Sequence, residues 1–274
     1  MPDEAVKLLI LGAHPDDAEY HAGALAASFR QLGRDVKMVS VTNGAAGHHR
    51  LSPEELVAVR RDEAAAAGRV IGAEYVTWDF PDGELEVSLE LRRRIIGEIR
   101  SFRPDLVLTH RTCDYHPDHR AVGQAVQDAS FMVTVPHVVP RVPALRRDPV
   151  VAYMVDEFTK PAPLEADVVI DAGEHVETIV DMLMCQRSQV LQWLPYNRRI
   201  DDQVPRDPAG QRRFVRDWYV NVVRRRAERY RDALVATYGE DRGRRIELCE
   251  VYEVSEYAAP LDEMARRRLF PFLP

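Results

Sequence analysis

Short β-type runs separated by helical patterns fill the first half of the chain, and that alternation is what most limits the folds open to it. Val6–Leu11 (VKLLIL), Val36–Thr42 (VKMVSVT), Glu74–Trp78 and Leu106–Thr109 (LVLT) read as strands. Ala18–Leu32, Ser52–Ile71 and Ser88–Phe102 read as the helices between them, and a further helix begins near Pro117 and runs to about Met132. Gly33 closes the first helix, a Ser52/Glu55 capping box opens the second, and Pro81-Asp82-Gly83 turns the chain ahead of the third. Strand, helix and strand in succession build βαβ units and a parallel sheet. The expected class is therefore α/β: a Rossmann-like, doubly wound, mostly parallel sheet with a C-terminal α/β elaboration.

Past Met132 the pattern loosens. Pro136, Pro140 and Pro143 break a loop; Val150–Met154, Ala166–Ile170 and Glu247–Val254 read as strands; His175–Leu194 and an Arg-rich segment over Gln211–Tyr238 read as helices. A chain of 274 residues with 46% apolar composition can bury its own core. One domain is expected, with 1–133 as the Rossmann-like core and 134–274 as its elaboration. Internal repeats and low-complexity segments are absent from the sequence.

The net charge is −7, with Lys7, Lys37 and Lys160 the only lysines, so the overall field does not favour nucleic acid. The segment around Arg212–Arg231 interleaves aromatic with basic residues, but Asp217, Glu228 and Asp232 interrupt it. It reads as a solvated amphipathic helix or one packed at a subunit interface. No run approaches the roughly 18 apolar residues of a membrane span, so a soluble protein is expected. Cys113, Cys185 and Cys249 are odd in number and widely spaced, which fits neither a disulfide framework nor a CxxC metal site. A reducing, cytoplasmic home is the corresponding expectation.

In an open doubly wound sheet the first and fourth strands are neighbours, and ligands bind beyond their carboxyl ends where the strand order reverses. Two polar clusters fall there: His14-Pro15-Asp16-Asp17 after the first strand, and His116-Pro117-Asp118-His119 after the fourth, behind the lead Arg111–Tyr115. A catalytic zinc takes three nitrogen or oxygen ligands and keeps one position open. His14 and Asp17, three apart across a strand-to-helix turn, can converge on one point, and His119 can meet them from the adjacent strand. The same donors suit Fe(II), Co(II) or Mn(II), with Zn2+ preferred.

Neighbouring side chains in such a turn diverge, which leaves Asp16 as a base. A divalent metal brings the pKa of water it binds to about 7, and a carboxylate alongside can take up the proton. His116, held near by Pro117 but off the metal, can as imidazolium stabilise an oxyanion or protonate a leaving amine. Asp118 can orient His116 or cap the helix. The blander account of both clusters is helix N-capping, since Asp and Asn are favoured there, Pro favours the first helical turn and histidines are common in loops. Complementary ligand types at the mouths of two adjacent strands favour the metal site.

The runs Ala13-His14-Pro15-Asp16-Asp17-Ala18-Glu19 and His116-Pro117-Asp118-His119 resemble the two signature motifs of the PIG-L/LmbE-like deacetylases. Further resemblances lie at Thr42-Asn43-Gly44, at Arg60–Glu63 leading into Gly72, at Pro81-Asp82-Gly83 and at Ser188-Gln189, so the likeness runs through about the first 190 residues. It implies a metal-dependent hydrolase that removes acetyl from N-acetylglucosamine-containing small molecules. Carried over, His14, Asp17 and His119 hold one divalent ion per chain, Asp16 is the general base and His116 the electrostatic partner. Arg61 (or Arg60) and Asp82 fall where members contact the sugar. A homo-oligomer, trimer or hexamer, is also implied.

Several features sit beside that pattern. His48 and His49, in the loop after the second strand, can reach the crevice and touch substrate; Asp82 is otherwise a turn residue, and Arg60 and Arg61 otherwise form surface ion pairs. Trp193 and Tyr196 can stack on a sugar ring or pack in the core. Members often carry a histidine where this chain has Gln186, in Gln186-Arg187-Ser188-Gln189, and a small residue where it has His21. That departure leaves room for an amidase or esterase acting on a non-sugar substrate. A nucleotide-binding module is a third reading. It predicts a phosphate-cradling glycine pattern after the first strand, whereas Gly12-Ala13-His14-Pro15-Asp16-Asp17 places carboxylates that repel phosphate.

Overall fold

The computed structural model describes residues 6–274. The strands β1 (Lys7–Gly12), β2 (Asp35–Thr42), β3 (Glu74–Phe80), β4 (Leu106–Thr109), β5 (Val150–Met154), β6 (Val168–Asp171) and β7 (Cys249–Val254) form one sheet in the order β3-β2-β1-β4-β5-β7-β6. The first five run parallel, as the alternating pattern requires. β7 enters antiparallel between β5 and β6, a placement that periodicity alone does not reveal.

The helices are α1 (Asp17–Gln31), α2 (Pro53–Ile71), α3 (Leu89–Phe102), α4 (Pro117–Ala129), α5 (Val176–Cys185), α6 (Leu194–Asn197), α7 (Pro208–Arg229), α8 (Arg231–Tyr238), α9 (Glu240–Arg245) and α10 (Glu263–Leu269). β1 is covered on both faces, which is why Leu8, Leu9, Ile10 and Leu11 form an unbroken apolar run and are all fully buried. Leu8 and Ile10 pack with Leu25 and Phe29 of α1 and Ala64 and Ala67 of α2. Leu9 and Leu11 pack with Leu91 and Ile95 of α3 and Val122 of α4. The sheet is thus doubly wound.

Three stretches differ from the sequence pattern. The helix expected over 175–194 ends at Cys185, because Gln186 leaves the helical path and turns its side chain into the core toward Glu19. The Arg-rich helix bends at Tyr230 into α7 and α8, where Tyr230 and Leu234 pack with Ile246, Cys249 and Val251. α9 and α10 are additional. On α7, Val215, Tyr219 and Val223 face the core, while Arg212 and Arg216 pair with Glu177 and Asp181 on α5. The three cysteines are unpaired, and among the described residues no helix is long and apolar enough to cross a membrane.

Helix α1 carries a kink at Ala22 (φ −140°, ψ 22°). The kink frees backbone N–H groups one turn on, and the Glu250 carboxylate of β7 receives them, from Ala24 at 2.7 Å and Leu25 at 2.9 Å. A buried carboxylate from a distant strand thereby caps the second half of the helix.

Candidate active site

β1 and β4 pair directly, Leu8 with Leu106 through Leu11 with Thr109, so the turns that follow them open side by side. After β1 the chain folds tightly: the Asp16 and Asp17 N–H groups both donate to the His14 carbonyl, and the His14 N–H donates to Asp17 Oδ2 at 2.7 Å. Gly12 is required beneath this turn, since a Cβ there would meet Asp17 Cβ at 2.8 Å. After β4, α4 lies hard against the strand end, where a Cβ on Gly123 would come within 2.4 Å of the His110 carbonyl. That close approach brings His119 over the first turn.

His14, Asp17 and His119 converge. His14 Nδ1 is 3.1 Å from His119 Nε2 and 3.5 Å from Asp17 Oδ2, and His119 Nε2 is 3.5 Å from Asp17 Oδ1. Donor atoms on a tetrahedral ion at 2.0–2.1 Å stand about 3.3 Å apart, so the measured separations suit such an ion. The remaining ring nitrogens face carboxylates: His14 Nε2 lies 3.2 Å from Asp82 and 3.3 Å from Asp118, and His119 Nδ1 lies 3.0 Å from Asp114. Outer carboxylates that fix the tautomer and direction of ligating imidazoles are the usual second layer of a metal site.

The electrostatics favour a cation. Burial works against charge on His14, but Asp118, Asp17 and Asp82 outweigh it and raise the imidazole well above its ordinary range. Asp17 is also opposed by burial, yet His119, His110 and His14 hold its carboxyl well below the usual value. Asp114, likewise against burial, is held at about 2, chiefly by His119. Asp16 moves the other way: burial raises it, with Arg60 pulling against the rise. Adjacent carboxyls thus have opposite tendencies.

Asp16 makes no side-chain cap on α1; its Oδ1 accepts from Arg60 Nη2 at 3.1 Å. Arg60 is buried at the site, whereas Arg61 is exposed and pairs with Asp79 at 2.9 Å. His116 does cap α4, its Nδ1 accepting from the Asp118 N–H at 3.2 Å. Its ring stands edge-on to His14 with centroids 4.5 Å apart. Asp118 does not reach His116 with its side chain. It accepts from the Gly83 N–H at 2.7 Å and the Leu85 N–H at 3.2 Å, tying the turn after β3 to His14. Asp82 accepts from the Ala46 N–H at 2.9 Å, and His48 sits half-buried with Nε2 3.0 Å from Gln192 Oε1.

Sequence reasoning passed over His110 and Asp114. His110 stacks on His119 at 3.8 Å and places Nε2 3.1 Å from Asp17 Oδ2. Their signal was available, an imidazole closing β4 and a carboxylate in the lead to the second cluster. Glu63 is likewise no surface residue, since it accepts from the Ser188 N–H at 2.7 Å and hydroxyl at 2.6 Å. Gln186 donates to Glu19 at 2.6 Å, and burial pushes Glu19 up to about 8. A neutral amide there suits a carboxyl that is largely protonated at neutral pH.

Residues 9–130 match the family described as PIG-L: GlcNAc-PI de-N-acetylase. Over 127 residues the chain is 31% identical to a diacetylchitobiose deacetylase of Thermococcus kodakarensis, covering 44% of this chain and 48% of that protein. The match therefore spans about half the relative's length. A 4-oxalmesaconate hydratase of Pseudomonas putida is 24% identical over 200 residues, 69% of this chain and 76% of the hydratase. Among solved structures, an N,N'-diacetylchitobiose deacetylase from Pyrococcus horikoshii superposes with a TM-score of 0.71 at 19% identity, covering 93% of this chain and 85% of that one.

Proposed function

We propose that the chain, whose residues 9–130 match the PIG-L family model, is a metal-dependent N-deacetylase acting on an N-acetylglucosamine-type amino sugar or its conjugate. The observation that carries this reading is the convergence of His14, Asp17 and His119 within 3.5 Å of one another, with Asp16 drawn aside by Arg60. In this reading those three hold one divalent ion, Zn2+ by preference for two imidazoles and a carboxylate. When bound, such an ion polarises an acyl oxygen and acidifies water.

The chain's own residues do the rest. Asp16, with a carboxyl raised by burial, takes a proton from the attacking water and passes it to the departing nitrogen, so C–O bond formation and C–N cleavage balance. Arg60 fixes the direction in which Asp16 points. His116 uses Nδ1 to cap α4, which leaves its proton on Nε2, and burial together with His14 and His119 lowers its pKa. It acts as a neutral donor to the developing oxyanion. Asp82, Asp118 and Asp114 keep the two imidazoles aimed.

The hydratase relative supports a second reading, addition of water across a conjugated C=C bond, because its alignment spans 69% of this chain and 76% of the hydratase. Elemental analysis of purified protein, with acetate release from N-acetylglucosamine and N,N'-diacetylchitobiose, separates the two. About one transition metal per chain with acetate released is expected. Metal with no acetate, but loss of the ultraviolet absorbance of 4-oxalmesaconate, assigns the hydratase; cleavage only of simple amides or esters assigns the non-sugar amidase.

A further inference from the structure

Beyond Gln186 the chain makes one wide π-type turn over Gln189–Trp193 and the short α6, then reverses at Arg199, a non-glycine residue at φ 59°. The turn opens a cavity of about 580 Å3 lined by Trp193, Tyr196, Asn197, Arg199, Asp201 and Asp202. None of these residues takes part in the chemistry described above.

The cavity and the catalytic cluster share a border. Ala46 is bonded to Asp82, itself 3.2 Å from His14. The next residue is Gly47, whose carbonyl accepts from Gln189 Nε2 at 3.0 Å. A Cβ on Gly47 would have Arg60 Nη1 and Trp193 Nε1 each at 3.7 Å. The arginine that holds Asp16 and the tryptophan that walls the cavity therefore flank the same gap. Tyr196 is backed by His49, parallel at 3.8 Å, and remains 46% exposed; Trp193 lies 6.1 Å from it at 30°.

Aromatic faces accept the C–H face of a saturated ring. The amide of Asn197 and the guanidinium of Arg199 offer donors, and Asp201 and Asp202 offer acceptors, which together suit hydroxyl groups. Two carboxylates in so small a space disfavour a carboxylate or phosphate. We propose that this cavity is a second sugar subsite, holding a neutral pyranose joined to the acetamido ring whose amide lies at Asp16. The proposal rests on the deacetylase reading and adds to it that the enzyme prefers a disaccharide to a monosaccharide.

The test compares acetate release from N-acetylglucosamine and N,N'-diacetylchitobiose by the wild type, Trp193→Ala and the half-exposed Tyr196→Ala, alongside calorimetric titration of all three with cellobiose. The expected result is a kcat/KM at least about tenfold higher for the disaccharide, reduced about tenfold through KM in either variant while the monosaccharide rate is kept. Cellobiose binding should weaken in parallel. Equal kcat/KM for the two substrates, unchanged by the substitutions, overturns the subsite and leaves the deacetylase standing. Absence of acetate release together with cellobiose binding that depends on Trp193 or Tyr196 does the reverse. Absence of cellobiose binding in the wild type counts against the subsite whatever the activity.

Discussion

Asp16 and Asp17 are neighbours in sequence and opposites in setting. Asp17 faces His14, His110 and His119, which stabilise its charge; Asp16 pairs with Arg60, but burial outweighs that partner and raises its carboxyl. Removing the charge at each position should therefore fail differently. Asp16→Asn should keep the metal and lower kcat by on the order of 10²–10⁴, the range typical of a lost general base. Asp17→Asn should lose metal as well as activity. Metal content measured on both purified variants decides it, and an Asp16→Asn protein that comes out metal-free would reverse the two roles.

At the scale of elements, legibility followed the range of the interactions. β1 and β4 stand out because strands covered on both faces must be apolar throughout, and they point to His14 and Asp17 in the turn after β1 and to His119 in the first turn of α4, the helix that follows β4. The end of α5 carries no glycine or proline; what stops it is the bond from Gln186 to Glu19, 167 positions away. Arg60 was ambiguous with Arg61 because only the packing of α2 shows which side chain turns inward. The α1 kink is of the same kind, since its cap comes from β7. Burial raises Glu250 to about 6 even though Tyr252, Ala24 and Leu25 donate to it. A carboxyl whose folded pKa exceeds its unfolded value of about 4.3 stabilises most below the unfolded pKa, and that contribution is lost as pH rises through the folded one. The loss amounts to about 2 kcal/mol by pH 7. Glu250→Gln should be less stable than wild type, because its amide N–H2 opposes a backbone donor, but the deficit should shrink by about 2 kcal/mol between pH 4 and pH 7. Urea melts across that range measure it, and a deficit that stays constant removes Glu250 as the titrating group.

For the molecule as a whole, the acidic cluster is a cost that a bound cation would offset. Asp17, Asp82, Asp114 and Asp118 all point at two imidazoles, and the groups they hold come from the ends of β1, β3 and β4 and from α4. With no ion, charge balance falls to His14, which the surrounding carboxylates keep protonated well above its ordinary range. A ligand that binds only the folded state stabilises it by about 2.7 kcal/mol when present at a hundredfold excess over its Kd. For a chain near this size each kcal/mol moves Tm by roughly 2–4 °C, so chelation followed by calorimetry should lower Tm by roughly 5–10 °C, and added Zn2+ should restore it. The three cysteines are unpaired, so reductant alone should leave Tm where it is. The shift should also narrow toward acid pH, where protons compete with the ion for His14 and His119. A Tm indifferent to chelation at neutral pH would mean that the carboxylate cage is balanced by its own histidines, and the case for a resident metal would fall with it.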